Sequence, residues 1–230
     1  MGETEFRMKS NGNPAAVRVL IFDLDGTLID SKLDLAHAVN AMLRYKGRPR
    51  LDNETIYGYV GNGAPTLVRR ALGERATEEE VEDSLKYFLA YYREHMLDHT
   101  VPYPGVREGL EKLRAHSMAV LTNKPVVFSK AILEGLDLAK YFRYVYGGNS
   151  FEKKKPDPMG IEILLRDFGA APGEAMMIGD SDVDVRTARN AGIWACGVSY
   201  GLGAEGLRAN APDFMVDSLE ELPARLGMGA

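Results

Sequence analysis

Six short apolar runs mark the chain, each closing on Gly, Asp, Asn or Ser: VRVLIFD from Val17, MAVLTN from Met118, RYVYGGN from Arg143, AMMIGDS from Ala175, IWACGVS from Ile193 and DFMVD from Asp213. Unbroken apolar runs of this length suit strands buried on both faces, as in a parallel sheet. Helical spacing fills most of the intervals. After Pro104-Gly105, Val106, Leu110 and Leu113 recur on one face; Ile161, Leu164, Leu165 and Phe168 do the same before Gly169, which predicts a helix over Met159–Phe168. Ser218 and Glu221 form a candidate capping box for a last helix. Strands alternating with helices in this way predict an α/β fold, an open parallel Rossmann-like sheet.

The alternation fails in one interval. From Ser31 to His99 the pattern is helical throughout. Leu35, Val39, Met42 and Leu43 share a face, Pro65 opens and Gly73 closes a second helix, and Thr77 with Glu80 resembles a capping box. Val81, Leu85, Phe88, Leu89, Tyr92 and Met96 then follow at helical spacing and read as the core of a helical unit. The chain therefore divides into a disordered leader (1–14), a catalytic core (15–30 and 100–230) and an inserted all-helical cap domain (31–99).

Composition narrows the function. A net charge of −5 argues against nucleic acid or an acidic membrane surface as the main partner. No apolar run approaches the ~20 residues that span a bilayer, and the first fourteen residues lack a signal-peptide core, so a cytoplasmic location is expected. Cys196 is the single cysteine, in an apolar setting that reads as a buried strand position. The four histidines are scattered and have no zinc spacing.

Ligands bind parallel sheets outside the carboxyl ends of the strands. Those ends carry Asp23-Leu24-Asp25-Gly26-Thr27, Thr122-Asn123-Lys124, Lys153-Lys154-Lys155-Pro156 beyond the third strand, and Gly179-Asp180-Ser181-Asp182 with Asp184. Each stretch alone fits a turn, a helix cap or a solvated charge run. Gathered on one rim they make a site. Asp23 and Asp25, two apart on an extended segment, point the same way and resist ionising together unless something compensates. Oxygen ligands favour Mg²⁺, which keeps water and substrate phosphate in its remaining positions. A phosphoryl group also needs a cation, hydrogen bonds and an in-line nucleophile. Lys155, then Thr122 with Asn123, then Asp23 offer these.

These four stretches, in this order, resemble the motifs of haloacid dehalogenase-like phosphatases, and the helical interval resembles the cap many members carry. The resemblance implies that Asp23 attacks phosphorus and that Asp25 protonates the leaving oxygen and then helps water attack. It implies Mg²⁺ held by the Asp23 and Asp180 carboxylates and the Asp25 carbonyl. Thr122 and Lys155 would hold phosphoryl oxygens, and Asp184 would sit beside the metal or orient Lys155. Lys153 and Lys154 stay solvated in this register.

VGNGAPTLVRRAL from Val60, TNKP from Thr122 and KKPDP from Lys154 are similar to stretches in phosphoglycolate phosphatases. That likeness implies 2-phosphoglycolate as substrate, its carboxylate reached by backbone amides of Gly61, Asn62 and Gly63, with Arg69 and Arg70 as further candidates; the Gly-Asn-Gly stretch equally fits a tight loop between helices, and the arginines a helix surface. Mutases of the β-phosphoglucomutase kind, pyrophosphatases and sugar or nucleotide phosphatases carry similar caps and remain alternatives. Outside catalysis, a phosphate-sensing protein or an Asp-phosphorylated receiver module is the competing class. A monomer or homodimer acting on a small phosphorylated substrate is expected.

Overall fold

The structure, a computed structural model, describes residues 14–228. Residues 1–13 of the expected leader lie outside the described residues, and Pro14 opens a 3-10 turn, Pro14–Ala16. In chain order the elements are β1 (Val19–Phe22), β2 (Ile29–Asp30), α1 (Lys32–Tyr45), α2 (Asn53–Tyr57), α3 (Ala64–Leu72), α4 (Glu78–His95), β3 (Val101–Pro102), α5 (Val106–Lys112), β4 (Ser117–Leu121), α6 (Val126–Gly135), β5 (Tyr144–Tyr146), α7 (Met159–Phe168), β6 (Ala175–Gly179), α8 (Asp182–Ala191), β7 (Trp194–Val198), α9 (Ala204–Ala209), β8 (Phe214–Val216) and α10 (Leu222–Arg225).

Six strands form one parallel sheet in the order β5-β4-β1-β6-β7-β8, and all six coincide with the apolar runs. Alternation along β1 explains why both faces are covered. Leu20 and Phe22 enter a core shared with Val106, Leu110, Leu219 and Leu222, whereas Val19 and Ile21 enter a second core with Ile161, Leu164 and Val185. The chain belongs to the α/β class on this topology.

Two-residue β2 and β3 pair antiparallel, with Ile29 opposite Pro102 and Asp30 opposite Val101. Neither has an apolar period long enough to read, so this ribbon is a structural addition to the expected six strands. α1 to α4 lie between β2 and β3, with α1 and α3 packed on α4 and α2 on α1. Thr77 caps α4 by accepting from the Glu80 N–H at 3.2 Å, while the Glu80 carboxylate leaves the expected box for Arg48, 2.6 Å away. Pro near the start and Gly73 at the end bound α3 as the sequence predicts.

The two crossings into and out of these helices are tied by a buried acid. Asp34, in the first turn of α1, accepts from Thr100 Oγ1 (2.7 Å), Thr100 N (2.8 Å), His99 N (3.0 Å) and His99 Nδ1 (2.8 Å). Burial alone would raise its pKa; the hydrogen bonds from Thr100 and His99 outweigh that and hold it below the ordinary carboxylate value. His37 joins this group, its ring edge-on to His99 at 5.2 Å. Histidines that look scattered in the sequence are thus brought together. With Asp34 spent on four donors, only two imidazoles remain, fewer than the three protein ligands of a catalytic zinc site.

Candidate active site

The carboxyl ends of β1, β4 and β6 converge because these three strands are neighbours in the sheet. β1 delivers Asp23, whose N–H donates to Ile178 O on β6 at 2.9 Å. Gly26 follows in the left-handed region, φ +84°. A Cβ there would stand 2.3 Å from Asp180 Oδ2, so glycine lets the turn lie against that acid. Asp180, at the end of β6, accepts from Thr27 Oγ1 (3.2 Å) and from the N–H groups of Leu202 (2.8 Å) and Gly203 (3.0 Å). Ser181 and Asp184 form a capping box that opens α8.

Asp23, Asp180 and Asp184 are all buried and each has a carboxylate oxygen within 4.8 Å of the others. One ammonium enters this group. Lys155 Nζ lies 2.9 Å from Asp23 Oδ1 and 2.6 Å from Asp184 Oδ1. Burial alone would lower the Lys155 pKa, but Asp184 and Asp23 more than offset it and hold the lysine charged. Burial pushes Asp23 up to about 6, with Lys155 opposing and Asp184 adding to the rise. Burial, Asp184 and Asp23 push Asp180 up to about 7. Three acids against one lysine leave an excess of negative charge that a hard cation would neutralise. The site therefore suits a divalent ion by charge and by its oxygen-only donors. Asp184 is already committed, its second oxygen taking the Ser181 hydroxyl (2.7 Å) and N–H (3.1 Å).

Asp25 stands apart from that cluster. Its carboxylate accepts from Ser31 Oγ at 2.5 Å and from Lys124 Nζ at 3.0 and 3.2 Å. Lys124 also donates to Tyr92 Oη on α4 at 2.8 Å and lies 4.6 Å above the Tyr92 ring. The two acids of the first motif thus avoid sharing one field: Asp23 faces Lys155, and Asp25 faces Lys124.

The other expected residues divide. Thr122 is buried at the end of β4, its hydroxyl accepting from Lys124 N at 3.3 Å. The Asn123 amide has a different use from the phosphate contact expected of it: Nδ2 donates to Gly61 O (3.1 Å) and Lys155 O (3.2 Å), joining the α2–α3 loop to the core. Lys154 is exposed, as expected, and its ammonium also reaches Asn62 O at 2.7 Å. The Gly61-Asn62-Gly63 loop thus gives two carbonyls, Gly61 O and Asn62 O, to core donors. Arg69 is not brought to the site; it is half-exposed and paired with Glu78. Arg70 holds Tyr59 O at 3.0 Å and Asn62 Oδ1 at 3.4 Å.

A pocket opens over Asp23 and Asp25, walled by Leu67, Phe88, Leu89, Tyr92 and Phe128. The aromatic stripe of α4 is core as its spacing predicts, with Val81, Phe88 and Tyr92 buried, and Phe88, Leu89 and Tyr92 also wall the pocket. Sequence reasoning gives no site role to Ser31, Tyr92, Lys124, Leu202 or Gly203. Tyr92 reads as helix core and Lys124 sits at a strand end, but a lysine there carries no sign of which acid it will meet.

Comparison with known proteins gives the same direction. A family model described as haloacid dehalogenase-like hydrolase matches residues 20–198. A phosphoglycolate phosphatase of Pseudomonas syringae pv. syringae (strain B728a) is 39% identical over 223 residues, 93% of this chain and 81% of its own length. Another, from Vibrio parahaemolyticus serotype O3:K6 (strain RIMD 2210633), is 40% identical over 217 residues, 90% of this chain and 94% of its own. The crystal structure of a predicted phosphoglycolate phosphatase from Haemophilus somnus 129pt superposes with a TM-score of 0.86 at 30% identity, covering 91% of this chain and 97% of the other. With its motifs at the ends of adjacent parallel strands and these matches along most of its length, the chain belongs to the haloacid dehalogenase-like hydrolases and, within them, resembles the phosphoglycolate phosphatases.

Proposed function

We propose that the protein is a Mg²⁺-dependent phosphomonoesterase that hydrolyses 2-phosphoglycolate to glycolate and phosphate through an aspartyl-phosphate. The observation that carries this reading is the separation of two carboxylates into two settings. Asp23 lies among Lys155, Asp180 and Asp184; Asp25 lies beside the apolar pocket, held by Ser31 and Lys124. An Asp23 oxygen attacks phosphorus, and the bond from phosphorus to the ester oxygen breaks as that oxygen takes a proton from Asp25. Water then attacks phosphorus, giving its proton to Asp25, and the bond to Asp23 breaks to release phosphate. Lys155, anchored by Asp184, offers charge to the phosphoryl oxygens, and the Thr122 hydroxyl a hydrogen bond. The Asp23 and Asp180 carboxylates with the Asp25 carbonyl would hold Mg²⁺, since Asp184 is committed to Lys155 and Ser181. When bound, the ion supplies positive charge to the phosphoryl group.

Residues 31–99 would act as a cap that covers the bound ester, the α2–α3 loop docking through Asn123 and Lys154. Two relatives named phosphoglycolate phosphatase, at 39% and 40% identity, support the choice of substrate. The test is phosphate release with Mg²⁺ from 2-phosphoglycolate, β-glucose 1-phosphate, pyrophosphate, a nucleoside monophosphate and a hexose 6-phosphate, using Asp23→Asn as the blank. A clear preference for 2-phosphoglycolate that the blank abolishes is expected. Equal turnover of the bulky esters refutes the substrate and keeps the chemistry. Wild-type release no greater than the blank refutes the phosphatase.

A further inference from the structure

We propose that Lys124 is the specificity-determining residue of this site, recognising a carboxylate on the leaving group and so selecting phosphate esters of 2-hydroxy acids. The inference rests on the phosphomonoesterase reading and adds the residue that chooses the alcohol.

Lys124 is a lysine that burial ought to penalise. Its side chain is 5% exposed, yet it lines the pocket over the two acids. Among the described residues lining that pocket it is the one cation, and the walls around it are Leu67, Phe88, Leu89 and Phe128. Placing an ammonium there is expensive unless it is paired, and in the free protein the partners are Asp25 and Tyr92 Oη. Holding Asp25 would be a sufficient purpose if nothing else did so. Ser31 already does, at 2.5 Å from Asp25 Oδ1.

The position of the ammonium relative to the reaction gives it a second purpose. The ester oxygen must lie beside Asp25 to receive its proton. In the phosphate of a 2-hydroxy acid the carboxylate carbon is two bonds further on, about 2.4 Å from that oxygen. An ammonium 3.0 Å from Asp25 is therefore within ion-pair reach of such a carboxylate, while Lys155 is paired with Asp23 and Asp184. The phosphoryl group and the carboxylate would then each have their own lysine.

The cap arginines have partners of their own: Arg69 is held by Glu78, and Arg70 by Tyr59 O and Asn62 Oδ1. A neutral group in the same place would offer Lys124 at most an uncharged hydrogen bond and no ion pair.

The experiment compares 2-phosphoglycolate with 2-hydroxyethyl phosphate, which replaces the carboxylate by a neutral CH₂OH, in wild type, Lys124→Met and Lys124→Arg, with Mg²⁺. The readout is the ratio of kcat/KM for the two esters, because a lysine that merely positions Asp25 moves both together. A charge-assisted contact of this kind predicts a ratio about 10- to 100-fold higher in wild type than in Lys124→Met, with Lys124→Arg keeping a large part of it. An unchanged ratio in Lys124→Met overturns the proposal, as does a wild type that treats the two esters alike. Binding of 3-phosphonopropionate against propylphosphonate to the Mg²⁺-loaded wild type, by calorimetry, covers a misfolded variant or an absence of turnover. Tighter binding of the carboxylate-bearing phosphonate is expected, and equal affinities refute carboxylate recognition. Wild type releasing phosphate from neither ester refutes the phosphatase reading, while the phosphonate pair, repeated with Lys124→Arg and Lys124→Met, still decides the role of Lys124: loss of the preference in Lys124→Met is expected, and its persistence there refutes the assignment.

Discussion

Replacing Asp34 by Asn tests whether the joint between the helical segment and the sheet is held by charge. The native carboxylate takes four donors at 2.7 to 3.0 Å, three of them from a main chain and a hydroxyl at His99 and Thr100. Thr100 is 3% exposed, so its N–H and hydroxyl have no water to turn to. The His99 ring is half-exposed and its bond counts for about 0–1 kcal/mol. Each buried bond to a charged acceptor is worth about 1.5–3 kcal/mol, and such bonds on one carboxylate do not add. Asparagine keeps one acceptor oxygen and turns an NH₂ toward donors. The net loss is then about 3 kcal/mol, or a Tm lower by about 6–12 °C for a chain of this size. Because folded Asp34 lies below its ordinary value, its ionised form stabilises the fold above the unfolded pKa, and that contribution fades as pH falls through the lower folded value. Urea unfolding followed by circular dichroism should thus show a constant gap between wild type and Asp34→Asn near neutrality, narrowing below about pH 4. A Tm shift under about 2 °C, or a gap that widens in acid, would refute the argument.

Two further outcomes follow from close packing. Gly26→Ala places a Cβ against the Asp180 carboxylate at a φ of +84°, so it should lower thermal stability and abolish phosphate release together; a variant with wild-type Tm and activity would show that the turn has room. Cys196 is buried on β7 and burial pushes its thiol up to about 12, so a disulfide reagent should label the native protein only at the rate of unfolding; rapid labelling of folded protein at pH 8 would contradict that.

The six parallel strands were readable because each is covered on both sides, so side-chain period 2 collapses into a continuous apolar word such as LIF or MMIG. Met159–Phe168 and the Pro65 to Gly73 helix were readable because their ends carry residues whose backbone geometry is local. The β2–β3 ribbon was not, since two residues have no period. Nor was the Asp34 to Thr100 tie, which joins positions 66 apart and needs the fold to exist first. At the rim, Asp23, Lys155, Asp180 and Asp184 declared themselves by type and by strand end. Lys124 and Tyr92 did not. Helical spacing on α4 says which side is apolar, but not that Phe88, Leu89 and Tyr92 finish against a void beside two acids.

The short ribbon of β2 and β3 has a consequence for how such a chain can change over time. Entry to and exit from the helical segment are paired side by side, Asp30 against Val101, so the sheet feels a closed loop whatever its length. A long excursion costs little more closure entropy than a short one. Helices of other lengths and pocket walls of other shapes can therefore be exchanged above that gate while the strands that end at Asp23 and Asp180 keep their register. The frame of the rim and the shape of the wall above it can drift apart, one set by the sheet and the other by the insert.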